Sequence, residues 1–300
     1  MFEFLAGFAL AVPDGSMEAV VINWLKKAGI AILFSNGRVK TGTTNVPFIQ
    51  SLTLLRPQEI PIYLEKGCFQ VAIANEDWIA NWQSDVVILA RFPIARATNQ
   101  AVRIVLAVSK ASGYEAIGDL PKGSTIATEY VELTGQYLAQ KGRADIEVIR
   151  SWGGTEQKIK FGAAAIVELT ETGSSLISNG LKIIDEIMIS NTVIAVNREA
   201  YNNIDLRPQI DWFVEVMKGA NLADSYVFVQ ANVSEGAVKK ASEILGGMYA
   251  PTISSLTTSG WYSISAYVLK NCQHEIVFQL LQMEVKDICV HDNISMVLGR

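Results

Sequence analysis

The chain has 300 residues, 25 of them basic and 30 acidic, for a net charge of −5 at neutral pH. A pI near 5.2 argues against a nucleic-acid binder or an anionic-membrane binder, both of which need clustered positive charge. Half of the residues are hydrophobic and only 18% are charged, so little disorder is expected and two or three domains with proper cores are within reach.

In chain order, residues 8–12 read as a buried strand and 17–28 as a helix, with Ser16 as its N-cap and Gly29 near its C-terminus. The apolar start bears Glu3 where a secretion signal carries basic charge, and it runs directly into Pro13-Asp14-Gly15-Ser16. It therefore reads as strand and loop. Residues 49–55 are β-rich, 57–66 helical, 70–74 a buried strand and 76–82 a short helix. This alternation predicts a largely parallel, doubly wound sheet with ligand loops at the strand C-termini.

A second α/β unit opens with the apolar run 102–108 and continues through a strand at 125–128, a helix at 131–141 and a strand at 146–149. The strand 191–196 and the helix 208–219 read as a return to the first unit. Two lobes joined by crossing strands place a ligand in the cleft between them. The last part reads as strand 226–233, helix 234–245 capped by Ser234, strands 253–256 and 261–269, helix 275–283 and strand 287–290. That βαββαβ order is the ferredoxin-like split unit. The expected division is lobe I at 1–95 completed by 183–221, lobe II at 96–182, and the third module at 222–300. No apolar run is long enough to span a membrane.

The segment Glu168-Leu169-Thr170-Glu171-Thr172-Gly173-Ser174-Ser175-Leu176 follows the short apolar run 163–167. A strand, a small hydroxyl-rich turn and a helix start together form an anion cradle. Carboxylates just upstream suit ribose hydroxyls or a bridging magnesium ion, which points to a sugar phosphate. A well-capped helix with nothing bound explains the composition about as well. Arg56, between a strand and a helix, suits bidentate phosphate contact or a stacked surface position. Arg96 and Arg103 flank the start of the second lobe, and Arg38 lies between Gly37 and Gly42. Each is a polyphosphate contact or an ordinary solvated charge. Thr128 and Glu129, and likewise Thr155 and Glu156 after Gly153-Gly154, meet ligand or serve as turn and cap. Asp77 holds an adenine amino group or favours the helix dipole. Cys68, Cys272 and Cys289 form no CxxC pair, and His274 and His291 are the only histidines. They read as reduced thiols in a cytoplasmic protein without a histidine-based triad.

These pieces together resemble the long, histidine-regulated form of ATP phosphoribosyltransferase. The matching runs are Val12-Pro13-Asp14-Gly15-Ser16-Met17-Glu18, Leu55-Arg56-Pro57-Gln58-Glu59-Ile60-Pro61, Asp77-Trp78-Ile79, Ala127-Thr128-Glu129-Tyr130, Ser151-Trp152-Gly153-Gly154-Thr155-Glu156 and the segment 168–176. Pro251-Thr252-Ile253-Ser254 and Gly260-Trp261 extend the match into the third module. The resemblance implies two periplasmic-binding-protein-like lobes with a ferredoxin-like (ACT-like) regulatory domain. It implies transfer of a phosphoribosyl group from phosphoribosyl pyrophosphate to N1 of ATP with Mg²⁺, under feedback inhibition by histidine, in a dimer or hexamer. Glu168, Thr170, Glu171, Thr172, Gly173, Ser174 and Ser175 would then hold ribose phosphate. Ser16, Arg38, Arg56, Asp77, Arg96 and Arg103 would face ATP, and Thr155 and Glu156 would orient substrate. Arg56 and Glu168 act as orienting groups, with no dedicated catalytic residue.

Four features depart from the family pattern. Asp14 stands where the family has lysine, Gln70 replaces an acidic residue, Val71-Ala72-Ile73-Ala74-Asn75 replaces a glycine-flanked turn, and Ala164 replaces an aspartate. They leave open a second reading, a ligand-binding or regulatory homologue with weak or no turnover.

Overall fold

In the computed structural model, which describes residues 6–34, 39–95, 100–248, 250–292 and 296–297, strand β1 (Phe8–Pro13) is buried along nearly its whole length. Its apolar run is what a central strand covered on both faces requires. A 3-10 turn (Gly15–Met17) leads into α1 (Glu18–Lys27). Strands β2 (Ile32–Phe34), β3 (Thr41–Thr44) and β4 (Ile49–Leu55) follow, then α2 (Ile60–Glu65), β5 (Val71–Asn75), α3 (Glu76–Trp82) and β6 (Val86–Phe92). The chain next crosses to a second sheet with β7 (Val102–Ser109), β8 (Thr125–Thr128), α4 (Val131–Gln140) and β9 (Glu147–Arg150). There it adds β10 (Ala165–Thr170), α5 (Ser174–Ser178) and β11 (Leu181–Ser190), and returns as β12 (Thr192–Asn197), α6 (Arg198–Asn202) and α7 (Arg207–Ala223).

The first sheet runs β2-β3-β4-β1-β5-β12-β6 and the second β11-β7-β10-β8-β9. Two crossings between two sheets are the connectivity of the expected pair of lobes. The sheets are mixed rather than largely parallel. In the first only β1 pairs in parallel, with β4 and β5, while β12 lies antiparallel to both β5 and β6. Strand β11 was not legible as a strand, because its register shifts at Ile183/Asp185 and Glu186/Met188 break the alternation of side chains. It belongs to the second sheet, so the expected boundary at 182/183 falls inside a strand and the return comes at Asn191.

Two local expectations change. Ser16 lies within the 3-10 turn and is not the cap of α1. Helix α2 starts at Ile60, after a turn in which the Glu59 N–H donates to the Arg56 carbonyl at 2.9 Å.

The chain divides into two compact units, Met1–Ile22 with Ala31–Asp211 and Asn23–Ile30 with Trp212–Arg300. The expected boundary at 221/222 falls within α7. The second unit contains β13 (Tyr226–Ser234), α8 (Val238–Leu245), β14 (Thr252–Ser255), β15 (Trp261–Leu269), α9 (Gln273–Leu280) and β16 (Val285–Asp292). Its sheet, ordered β14-β15-β13-β16, is antiparallel throughout. Alternate residues Val227, Val229, Ala231 and Val233 of β13 join Ala241, Leu245 and Leu280 from the helices in one core. The ferredoxin-like module read from the sequence is present. Also in this unit, the Trp24 indole donates to the Met217 carbonyl at 3.1 Å, and Lys27 Nζ lies 2.5 Å from Asp224 Oδ1.

Candidate active site

The C-terminal ends of β1, β5 and β10 open on a cavity of about 800 Å³ in the first unit, a size suited to a nucleotide-scale ligand. From the first sheet come Asp14, Ser16, Arg56, Asn75 and Trp78; from the second come Glu129, Tyr130 and the turn after β10.

That turn is built by one glycine. Strand β10 carries Glu168, Leu169 and Thr170, so the strand runs three residues further than the apolar pattern suggests. Gly173 occupies the cap position of α5 with φ +80°, a conformation that costs a side-chain-bearing residue about 1–2 kcal/mol. Its N–H donates to Thr170 Oγ1 at 2.8 Å, which closes the turn. Because the cap is glycine, a hydroxyl cap does not account for the composition of the turn. Glu171, Thr172, Ser174 and Ser175 all line the cavity. Thr172 and Ser174 share a hydrogen bond of 2.7 Å between their hydroxyls.

Glu168, half-buried, comes just before this turn on β10. Its carboxylate accepts the Leu169 N–H at 3.0 Å and is hydrogen-bonded to the Thr155 hydroxyl. Burial pushes its pKa up to about 7; the nearby Glu156 and Glu129 charges add to the rise, and the two hydrogen bonds oppose it. Thr155, buried and 3.1 Å from Ser151 Oγ, braces Glu168. Glu156 Oε1 accepts the Ser175 hydroxyl at 2.6 Å. Neither Thr155 nor Glu156 lines the cavity, so both meet the loop from behind.

The cations expected at the ATP side separate. Arg56 lines the cavity, with Nη1 3.4 Å from Asp14 Oδ1. Arg103 is turned to Glu186 at 3.6 Å and does not line it; Val102 does. Arg38 and Arg96 lie outside the described residues. Asp77 forms part of the wall, and its buried carboxylate accepts the hydroxyls of Ser190 (2.5 Å) and Tyr130 (2.8 Å), one on each oxygen. Thr128 is a turn residue: it is buried, and its Oγ1 accepts the Tyr130 N–H at 2.9 Å.

The stack of Trp78 on Tyr130, with ring centroids 4.4 Å apart, was not singled out from the sequence. Both residues stood in the matching runs Asp77-Trp78-Ile79 and Ala127-Thr128-Glu129-Tyr130, without a role of their own.

The four departures also separate. Gln70 and Ala164 precede β5 and β10, away from the C-terminal strand ends, and neither lines the cavity. Gln70 instead accepts the Ala9 N–H at 2.9 Å. Asp14 and Asn75 do line it.

Among the described residues, no three His, Cys, Asp or Glu side chains are grouped to hold a metal. Carboxylates at the cavity wall such as Glu171 and Glu129 fit a magnesium ion that shares its coordination with substrate phosphates, the usual mode for that ion. No helix among the described residues is long and apolar enough to cross a membrane.

Comparison with known proteins gives a consistent picture. A family model described as ATP phosphoribosyltransferase matches residues 56–219, and one described as HisG, C-terminal domain, matches 223–292. An ATP phosphoribosyltransferase of Desulfatibacillum aliphaticivorans is 34% identical over 280 residues, covering 93% of this chain and 94% of that protein. One of Thermodesulfovibrio yellowstonii is 34% identical over 275 residues, covering 90% and 91%. Among solved structures, the ATP phosphoribosyl transferase (HisG:HisZ) complex from Thermotoga maritima is similar with a TM-score of 0.60 and 27% identity, covering 70% of this chain and 96% of that one.

Proposed function

We propose that this chain, which belongs to the ATP phosphoribosyltransferase family, transfers the phosphoribosyl group of phosphoribosyl pyrophosphate to N1 of ATP. The products are N1-(5-phosphoribosyl)-ATP and pyrophosphate, in the first step of histidine biosynthesis. The observation that carries the reading is the β10 turn at Gly173, opening its hydroxyls and backbone onto the cavity. The turn residues Thr172, Gly173, Ser174 and Ser175 hold the 5-phosphate, with Glu168 on the sugar side. Arg56 and Ser16 face the ATP polyphosphate.

The chemistry asks little of the protein beyond orientation. Adenine N1 is itself the nucleophile: its lone pair forms the bond to the ribose anomeric carbon as the bond to pyrophosphate breaks. The cavity aligns the two reactants and excludes water, which lowers the entropic part of the barrier. Cationic groups such as Arg56 offset the charge on the departing pyrophosphate. Both histidines, His274 and His291, lie in the second unit and line no part of this cavity. Mg²⁺, arriving with the diphosphate, would meet Glu171 and would neutralise leaving-group charge.

Catalysis is assigned to the first unit. We infer that histidine acts on the ferredoxin-like module of the second as a feedback inhibitor, that the chain assembles as a dimer or hexamer, and that it works in the cytoplasm. The test of the transfer reaction mixes the protein with ATP, phosphoribosyl pyrophosphate and Mg²⁺ and follows the ultraviolet change on N1 alkylation of adenine. No change at high protein concentration, with the sugar phosphate still bound, would favour the second reading. In that case the chain is a binding or regulatory homologue, and Asp14 in the cavity wall is the observation that supports it.

A further inference from the structure

Helix α3 follows a strand of the first sheet, yet its Trp78 is part of the core of the second lobe, with Ile104, Leu106, Ile126 and Tyr130. The neighbouring Asp77 is fully buried and joins three parts of the unit. Its Oδ2 accepts the hydroxyl of Tyr130, which leads into α4, at 2.8 Å. Its Oδ1 accepts the hydroxyl of Ser190, the last residue of β11, at 2.5 Å, and its own N–H donates back to Ser190 Oγ at 3.0 Å.

Glu76 holds the next residue of the return crossing. Its Oε2 accepts the Asn191 N–H at 3.2 Å and the Asn191 side-chain amide at 2.9 Å, and the Glu76 N–H donates to the Asn191 carbonyl at 3.1 Å. The Thr192 hydroxyl then donates to the Ile94 carbonyl at 2.7 Å, tying the return crossing to the outgoing one. One turn further along the same face of the helix, Asn81 Oδ1 accepts the Leu133 N–H of α4 at 3.2 Å. A network of this kind has few alternative arrangements, because a buried carboxylate that loses a donor is left unsatisfied. Burial and the Asp77 charge hold the Tyr130 hydroxyl protonated, so it remains a donor.

We propose that Asp77 is a positioning residue: through Tyr130 and Ser190 it sets the angle between the two lobes, and so the spacing of Glu129 and the β10 turn from Asp14 and Arg56 across the cavity. This role rests on the cavity being the site of phosphoribosyl transfer. Asp77 need touch neither substrate. Its part is to keep the chain in the arrangement that binds both.

Tyr130→Phe tests this directly, since it removes the hydroxyl and leaves the ring on Trp78. Ser190→Ala removes the other donor and lies outside the cavity wall. The expected result for Tyr130→Phe is a joint rise of about tenfold in KM for ATP and for phosphoribosyl pyrophosphate, because a smaller share of the protein is binding-competent, with kcat kept within about threefold. Ser190→Ala should move both KM values in the same direction by less.

A second readout needs no turnover. Spin labels on Cys68 and on Glu147→Cys, both exposed and one on each lobe, in a Cys272→Ser, Cys289→Ser background, report the inter-lobe distance. It should broaden in Tyr130→Phe and narrow again with phosphoribosyl pyrophosphate. Lowered thermal stability with wild-type KM values and an unchanged distance distribution would overturn the proposal and leave Asp77 a purely structural group. If Tyr130→Phe does not fold, an unchanged KM and distance in Ser190→Ala overturn it equally. An inactive wild type would remove the transfer reading while the distance measurement still decides the role of Asp77.

Discussion

Arg56 Nη1 stands 3.4 Å from Asp14 Oδ1 at the cavity wall, over a glycine. A Cβ on Gly15, at φ +70°, would come within 3.3 Å of the same nitrogen. Lys40 Nζ lies 3.9 Å from the other Asp14 oxygen. Asp14 is thus a carboxylate in the path of anionic substrates, and it competes with them for Arg56. Asp14→Asn is expected to lower the KM for ATP roughly fivefold, equivalent to about 1 kcal/mol for a pair whose arginine is open to water. The gain should shrink as salt is added. Steady-state kinetics at two ionic strengths check this, and an unchanged KM would show that the carboxylate does not compete.

Gly173→Val should abolish binding of ribose 5-phosphate. The reason is conformational rather than steric, since the nearest atom to an added Cβ is Ile183 Cδ1 at an ordinary 3.8 Å. What fails is the left-handed φ, worth about 1–2 kcal/mol for any side chain and more for a branched one. Without it the Gly173 N–H leaves Thr170 Oγ1 and the turn changes shape. Calorimetric titration decides the matter: wild-type affinity in the variant would remove the loop from the phosphate site.

Glu168 gives stability a pH dependence of defined sign. Its folded pKa of about 7 lies above the ordinary 4.5, so between those values the folded chain holds a proton that the unfolded chain has released. Stability therefore falls as pH rises through that window, by up to the order of 3 kcal/mol. Glu168→Gln lacks the penalty. Its unfolding temperature should exceed that of the wild type near pH 8 and approach it near pH 5, within the window set by this shift. Parallel melting curves across pH would contradict the burial of this carboxylate.

Histidine control has to be tested on the full chain. A cut near Asn221 would strip Asn23–Ile30 of most of the unit it belongs to, and would remove Asp224, the partner of Lys27. L-histidine alone should raise the unfolding temperature of the intact protein, because a ligand of the folded state stabilises it by mass action, and it should slow the transfer reaction. If neither quantity moves, the second unit is no histidine site.

Much of this site was legible along the chain because its signals are local. The strand–turn–helix at Thr170–Ser174, the β-rich run 49–55 and the βαββαβ order of the last module follow from side-chain periodicity and from where glycine and hydroxyl residues interrupt it. Bulged β11 escaped, since its register shifts destroy that periodicity.

What the sequence by itself determined is most of the helices and buried strands, the family-like order of motifs and the anion-cradle turn, each encoded in a short local pattern. Tertiary structure alone decided which carboxylates are open to ligand. Asp77 is spent on Tyr130, 53 residues away, and on Ser190, 113 residues away. Glu168 is half-buried with its carboxylate on the Thr155 hydroxyl, and Asp14 is left at the cavity wall beside Arg56. The reason is physical: desolvation and hydrogen-bond occupancy depend on which distant strands and helices close around a group, and no local pattern carries that information.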